Sequence, residues 1–183
     1  MRRVNVVGTS GSGKSTFSAE LAKVLGCQHI EMDTLFWLPN WQESSDEVFF
    51  SNIERALDCP SWVLDGNYNR TRETKWRDVD TVIWIDYSFA RTLLQAVKRA
   101  IHRVWTGQEL WPNTGNRETF QKSFCSKDSI IAWTIRTYHS NRERYLDDMR
   151  NPDYQHIHFI RLGSPKECQA FLSQITQPSV PNS

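Results

Sequence analysis

The chain has 183 residues, 39% of them hydrophobic and 23% charged, and its 22 Lys+Arg against 21 Asp+Glu give a formal charge of +1. This length suits one core with a small mobile insert and is too short for two independent catalytic domains. The near-zero charge excludes an acidic tail and a broad nucleic-acid-tracking surface, so any attraction for anions has to be local.

In chain order, Val4, Val6 and Val7 predict a strand ending at Gly8, and the segment from Lys14 carries Phe17, Leu21, Val24 and Leu25 at helical spacing until Gly26 stops it. A second strand is expected over 28–32, ending in the acids Glu31 and Asp33. Residues 34–60 read as an insert beside the core, with Trp37, Pro39 and Trp41 first and a helix near 45–57 after them. The apolar runs 62–64 and 81–85, ended by Asp65-Gly66 and Asp86, read as the third and fourth strands, buried on both faces and hence parallel. Ser88 is positioned to cap a long helix reaching about residue 105, and Gly107, Pro112 and Gly115 mark a loop. Asp128 is placed to cap the next helix, with Ile131, Ile135, Tyr138, Arg142 and Tyr145 on one face, and 157–160 form the fifth strand. Ser164-Pro165-Lys166-Glu167 combines an N-cap, a first-turn proline and a capping-box glutamate, which opens the last helix. Five strands alternating with helices predict an α/β sheet covered on both faces.

Apolar runs such as 82–85 fall far short of the ~20 residues that cross a bilayer, so no membrane span is expected. The Met1-Arg2-Arg3 start lacks the apolar run of a secretory signal, which predicts a cytoplasmic chain with reduced thiols. Cys27, Cys59, Cys125 and Cys168 have no CxxC spacing and are expected to be buried thiols, not zinc ligands or disulfides. The eight tryptophans suit either a core or an aromatic wall for a planar ligand.

Gly8-Thr9-Ser10-Gly11-Ser12-Gly13-Lys14-Ser15 fits the Walker A pattern GxxxxGK[ST] at every fixed position, after a strand and before a helix. Glycines let successive backbone N–H groups point at phosphate oxygens, and the helix adds the positive end of its dipole. Gly8, Ser10, Gly11, Ser12 and Gly13 are therefore expected to cradle ATP phosphates. Lys14 neutralises β/γ-phosphate charge, Ser15 offers a hydroxyl to Mg²⁺, and Thr16 reaches toward the α-phosphate.

For the second metal contact the sequence offers Asp65 and the competing Asp86. Gly66 beside Asp65 favours the former, because glycine lets the backbone approach a ligand. Asp33, at a strand end where substrates bind, is a candidate to hold or deprotonate an acceptor hydroxyl, or simply an N-cap. Basic residues cluster late: Lys98, Arg99 and Arg103 before the loop, Arg117 within it, and Arg136, Arg142 and Arg144 after it. Arginines flanking a hinged loop suggest a lid over 106–127 in which Arg99, Arg103, Arg117 and Arg136 stabilise charge during phosphoryl transfer.

The order of these motifs resembles the adenylate-kinase-like P-loop kinases, and within them the small bacterial group called DNA topology modulation proteins. The resemblance spans nearly the whole chain and rests on 8–15, Ile30-Glu31-Met32-Asp33 with Leu35 and Trp37, Leu64-Asp65-Gly66-Asn67-Tyr68, Gly115-Asn116-Arg117-Glu118, and 160–165. It implies a three-layer P-loop sandwich with a five-stranded parallel sheet ordered 2-3-1-4-5, an acceptor insert and a short lid. It also implies that the turn containing Arg161, Ser164 and Pro165 lies against adenine. Adenylate kinases have Asp-Gly-Phe-Pro-Arg where this chain reads Asp65-Gly66-Asn67-Tyr68-Asn69, so their acceptor-phosphate arginine is missing from that place, with Arg70 and Arg72 close behind.

The expected organisation is one kinase domain over 1–176, with the insert at 34–60, the lid at 106–127 and a flexible tail at 177–183. The expected activity is transfer of the γ-phosphate of Mg-ATP to a small-molecule acceptor, with no membrane or nucleic-acid partner. The alternative is a slow nucleotide-dependent binding protein whose Trp37 and Trp41 dock a partner.

Overall fold

A computed structural model describes residues 1–126 and 129–176. Among the described residues, seven strands and seven α-helices follow in order: β1 (Arg3–Val7), α1 (Lys14–Leu25), β2 (Gln28–Glu31), α2 (Met32–Phe36), β3 (Trp37–Leu38), β4 (Gln42–Glu43), α3 (Asp46–Leu57), β5 (Trp62–Asp65), α4 (Arg72–Trp76), β6 (Thr81–Ile85), α5 (Phe89–Thr106), α6 (Ile130–Asp148), β7 (His158–Leu162) and α7 (Pro165–Thr176). The main sheet runs β2-β5-β1-β6-β7 with every pairing parallel. Counting only these five strands, the order is the expected 2-3-1-4-5.

The alternation of side chains along each strand feeds two cores. Val4, Val6, Val63, Ile83 and Ile85 pack with Phe17, Leu21 and Cys168 of α1 and α7. Val7, Leu64, Val82 and Trp84 pack with Phe49, Ile53, Trp76 and Tyr145 of α3, α4 and α6. A parallel sheet brings all five carboxyl ends to one edge, where Gly8, Asp65 and Asp86 lie.

The N-cap of α7 forms as read, with Ser164 Oγ accepting from Glu167 N, but the Glu167 carboxylate takes the Ser164 hydroxyl and Gly163 N in place of the Ser164 N–H of a full capping box. Several expectations are corrected. The second strand stops at Glu31, because Met32–Phe36 turns at once into α2. The insert holds a small β3–β4 hairpin as well as its helix. Ser88 sits at the start of α5 but makes no side-chain cap bond. The expected Asp128 cap lies outside the described residues; Ser129 caps α6 instead, accepting from Ala132 N. The buried stripe of α6 is Thr134, Tyr138, Asn141, Tyr145 and Asp148, while Ile135 is exposed. Cys168 is buried but Cys27 and Cys59 are only half-buried, and the side chain of Cys125 is not among those described. The tail 177–183 also lies outside the described residues.

Candidate active site

The site is built from the turn between β1 and α1. Gly11 and Gly13 have φ of +88° and +84°, in the left-handed region that favours glycine. Gly13 is the N-cap of α1, and a Cβ on Gly11 would fall 2.8 Å from both Ala96 Cβ and Thr92 O of α5. The small buried face of α5, Thr92, Ala96 and Ala100, is what lets that helix lie directly on the loop. Ser12 N donates to Thr9 O (3.0 Å), and Thr134 Oγ1 of α6 lies 3.2 Å from Ser10 O. Lys14 and Ser15 are half-buried and Thr16 is exposed at the start of α1.

One turn beyond Ala96, α5 carries Arg99, whose Nη2 donates to Ser10 Oγ at 3.0 Å. Burial pushes its pKa down, Arg103 adds to that, and Glu118, Asp33 and Asp65 oppose it. Arg99 is thus a cation held against the loop and within the field of both candidate acids. Arg103, by contrast, is closed by Glu118 (Nη1–Oε1 2.9 Å). Arg117 is exposed and its backbone bridges to Glu109, and Arg136 is exposed on α6 with its guanidinium 5.9 Å from the Trp133 ring. Of the four arginines expected in a lid, Arg99 is the one that the described geometry places in direct contact with the glycine loop.

The competing aspartates separate clearly. Asp86 is sequestered: Arg161 reaches its Oδ2 at 2.6 Å, and Arg142 Nε lies 3.2 Å from the same oxygen. Asp65 is 5% exposed, and its Oδ1 is buried without a hydrogen-bond partner among the described residues. A lone carboxylate oxygen in that environment is costly unless a cation joins it. Glu31 pairs with Asp65 in the β2–β5 register. Its pKa is raised, by burial first and then by Asp65 and Asp33, with His29 and Arg103 acting in the opposite direction. Asp33 is exposed and accepts a hydrogen bond from Tyr68 Oη at 2.7 Å.

Asn67 is a site residue to which the sequence motifs assign no role. Gly8 N donates to its Oδ1 at 3.0 Å, its Nδ2 donates back to Gly8 O, and Tyr145 Oη donates to the same Oδ1 at 2.7 Å. Its signal was an amide directly after an acid-glycine strand end. Behind it, the buried Lys75 lies 3.5 Å from Gly66 O, its pKa pushed down to about 7 by burial, then by Arg72 and Arg144, with Asp148 opposing. Arg70 and Arg72, the candidate substitutes for the missing acceptor arginine, are both engaged. Arg70 pairs with Asp46 (3.2 Å) over the rings of Phe36 and Phe49, and Arg72 pairs with Asp148 (2.8 Å) over Trp76. The turn after β7 is partly committed as well, since Arg161 holds Asp86 and Ser164 caps α7.

The tryptophans divide in three. Trp62, Trp76 and Trp84 are core, Trp105 and Trp133 are exposed, and Trp37, Trp41 and Trp111 form one cluster. Among the described residues no three His, Cys, Asp or Glu side chains converge as a metal cage, and no helix is long and apolar enough to cross a membrane. A magnesium ion carried by nucleotide phosphates needs only one or two protein ligands, which Ser15 and the unpartnered Asp65 fit.

No protein-family model matches the sequence, and no curated protein matches it. Among solved structures, the chain is similar to the shikimate kinase from Acinetobacter baumannii in complex with shikimate, with a TM-score of 0.55 and 14% identity over 97% of this chain and 92% of that one. At that identity the likeness shows the fold alone, a P-loop kinase-like α/β sandwich, which in this chain has a five-stranded parallel sheet and the glycine loop after its central strand β1.

Proposed function

We propose that this protein is an ATP-dependent phosphotransferase that moves the γ-phosphate of Mg-ATP to a small acceptor held between the sheet edge and the insert at 34–60. The observation that carries the reading is Arg99, a half-buried cation hydrogen-bonded to the phosphate loop and within the fields of Asp33 and Asp65. A nucleotide switch needs the loop and the metal ligand but has no use for a second acid, Asp33, within the field of that cation.

The roles follow from position. The backbone of 8–13 and Lys14 bind the phosphates, and the turn at Arg161, Ser164 and Pro165 is the proposed adenine edge. Ser15 and Asp65 would hold magnesium, which neutralises phosphate charge when bound. Arg99 stabilises the charge that builds on the transferring group, with Arg103, Arg117 and Arg136 as its proposed lid partners. Asp33 accepts the acceptor's hydroxyl proton at a carboxylate oxygen, and Tyr68 fixes the orientation of that carboxylate. Affiliation with the DNA topology modulation group and an adenylate-kinase-like acceptor remain proposals carried by the sequence motifs alone. The docking alternative is weakened because Trp37 and Trp41 pack on Trp111 instead of standing open to a partner.

The test is a panel of hydroxylated and phosphorylated small molecules offered one at a time with Mg-ATP. The reading expects acceptor-dependent ADP formation that Lys14→Ala abolishes and Asp33→Asn lowers in kcat. ADP formation indifferent to every acceptor would favour a slow ATPase.

A further inference from the structure

Asn116 lies in the loop between α5 and α6, yet it is 1% exposed. Its side chain does not serve its own loop. Nδ2 donates to Leu38 O at 2.9 Å, and Oδ1 accepts from Trp41 N at 2.9 Å, so one amide ties the end of β3 to the last residue of the turn that leads into β4. The hairpin turn needs that tie. Asn40 and Trp41 both have φ of +60°, a conformation that non-glycine residues keep only when their surroundings over-determine it. Three ring contacts reinforce the joint: Trp111 of the loop stacks on Trp37 (5.5 Å, 12°) and meets Trp41 edge-on (5.7 Å, 80°), while Trp37 meets Trp41 at 5.8 Å. Lys122 adds its ammonium 4.5 Å from the Trp41 ring centroid.

Each side of this joint leads to a different part of the site. On the loop side, Glu118 is two residues from Asn116 and pairs with Arg103, one turn along α5 from the Arg99 that touches Ser10. On the insert side, Trp37 packs on Phe36, Phe36 packs on Tyr68, and Tyr68 bonds Asp33. Two covers that must open to admit two ligands are usually expected to move separately. Here the polar and aromatic contacts between them would have to break first.

We infer that the lid loop and the insert hairpin move as one body, with Asn116 as the positioning residue that joins them, so that nucleotide binding at the phosphate loop also sets the acceptor side. The consequence for catalysis rests on the phosphotransferase reading, whereas the joint itself does not. Because such coupling is reciprocal, the acceptor would tighten nucleotide binding by the same factor.

Hydrogen exchange tests this on the full chain with Mg-ADP as the probe. In the wild type, saturating Mg-ADP should slow exchange in 107–117 and in 37–43 together, each by about tenfold or more. In Asn116→Ala it should still slow 107–117, with the nucleotide Kd within about threefold of the parent, and lose its effect on 37–43. Asn116→Gln keeps both the donor for Leu38 O and the acceptor for Trp41 N–H on a side chain one methylene longer and should recover part of the response, which a general loss of structure would not allow. Trp111→Leu, which leaves the hydrogen bonds in place, should weaken the response in the same direction. The inference is overturned if wild-type 37–43 ignores a nucleotide that protects the lid, or if Asn116→Ala transmits as well as the parent. Failure of Mg-ADP to bind at all would count against the phosphotransferase reading. The joint is then judged on exchange without nucleotide, where Asn116→Ala must accelerate both segments, and acceleration confined to 107–117 overturns it.

Discussion

The side-chain amide of Asn67 and the backbone of Gly8 form a two-hydrogen-bond ring, with Gly8 N donating to Oδ1 and Nδ2 donating to Gly8 O. This ring joins the end of β5 to the first glycine of the phosphate loop, and Tyr145 of α6 braces it. The loop is therefore held by three elements other than its own: β5 through Asn67, α5 through Arg99, and α6 through Thr134.

Replacing Asn67 should loosen the loop before it unfolds the protein. Asn67→Ala orphans both polar groups of Gly8, at a cost of about 1–3 kcal/mol, which appears as a weaker Mg-ADP Kd and a lower Tm. Asn67→Asp keeps the acceptor but sets a carboxylate against Gly8 O, so it should be no better than alanine for nucleotide binding. Titration calorimetry on both variants checks this, and unchanged affinity in both would remove Asn67 from the site.

The two strand-end aspartates should respond in opposite ways. Asp65→Asn removes an unpartnered buried charge, so stability should hold or rise while the magnesium response of turnover falls. Asp86→Asn leaves Arg142 and Arg161 without their shared carboxylate. Because both arginines are over 40% exposed, the expected loss is only about 1–2 kcal/mol of stability, with the magnesium response kept. Urea unfolding and magnesium titrations on the same pair of variants decide it.

Much of the fold could be read from local pattern, because the pattern and the burial agree there. The run at 81–85, apolar after Thr81, is β6 to the residue, and the Ser164 hydroxyl at the start of α7 takes the Glu167 N–H that its N-cap position promises. What could not be read depends on partners far along the chain. Asp65 and Asp86 look alike locally and differ because Arg142 and Arg161 arrive at one of them only. The buried face of α6 includes Thr134 and Asp148 because Ser10 O and Arg72 wait for them, a polar burial that hydrophobic periodicity cannot see. Helix α4, five residues long, is too short to show a period at all.

Truncating Arg99 should cost rate more than affinity, since its charge acts mainly on a group that becomes more negative during transfer. Arg99→Ala is expected to lose on the order of 2–4 kcal/mol in kcat, with a nucleotide Kd changed far less. Arg103→Ala, whose guanidinium is already closed by Glu118, should lose less than Arg99→Ala. The reverse order in kcat would move the charge-stabilising role from Arg99 to Arg103.

Buried Lys75 makes stability depend on pH in a predictable direction. Its pKa falls from the ordinary 10.5 to about 7 on folding, so between those values the unfolded chain binds more protons and stability rises with pH. Below about pH 7 that gain is absent, because the folded protein must carry the buried charge as well. The wild type should gain on the order of 2 kcal/mol between about pH 6 and pH 9 from this group. Lys75→Met should flatten the rise, as read by urea unfolding at both ends of the range. An unchanged slope in that variant would place the titrating group elsewhere.

The central claim is that the γ-phosphoryl group passes from ATP to a small molecule and not to water. The direct measurement is the fate of label from γ-labelled Mg-ATP in the presence of a cell-derived small-molecule extract, compared between the wild type and Lys14→Ala. The account predicts label in a new small-molecule product with the wild type alone, formed faster than free phosphate. Label recovered only as free phosphate, at a rate the extract does not change, would contradict it.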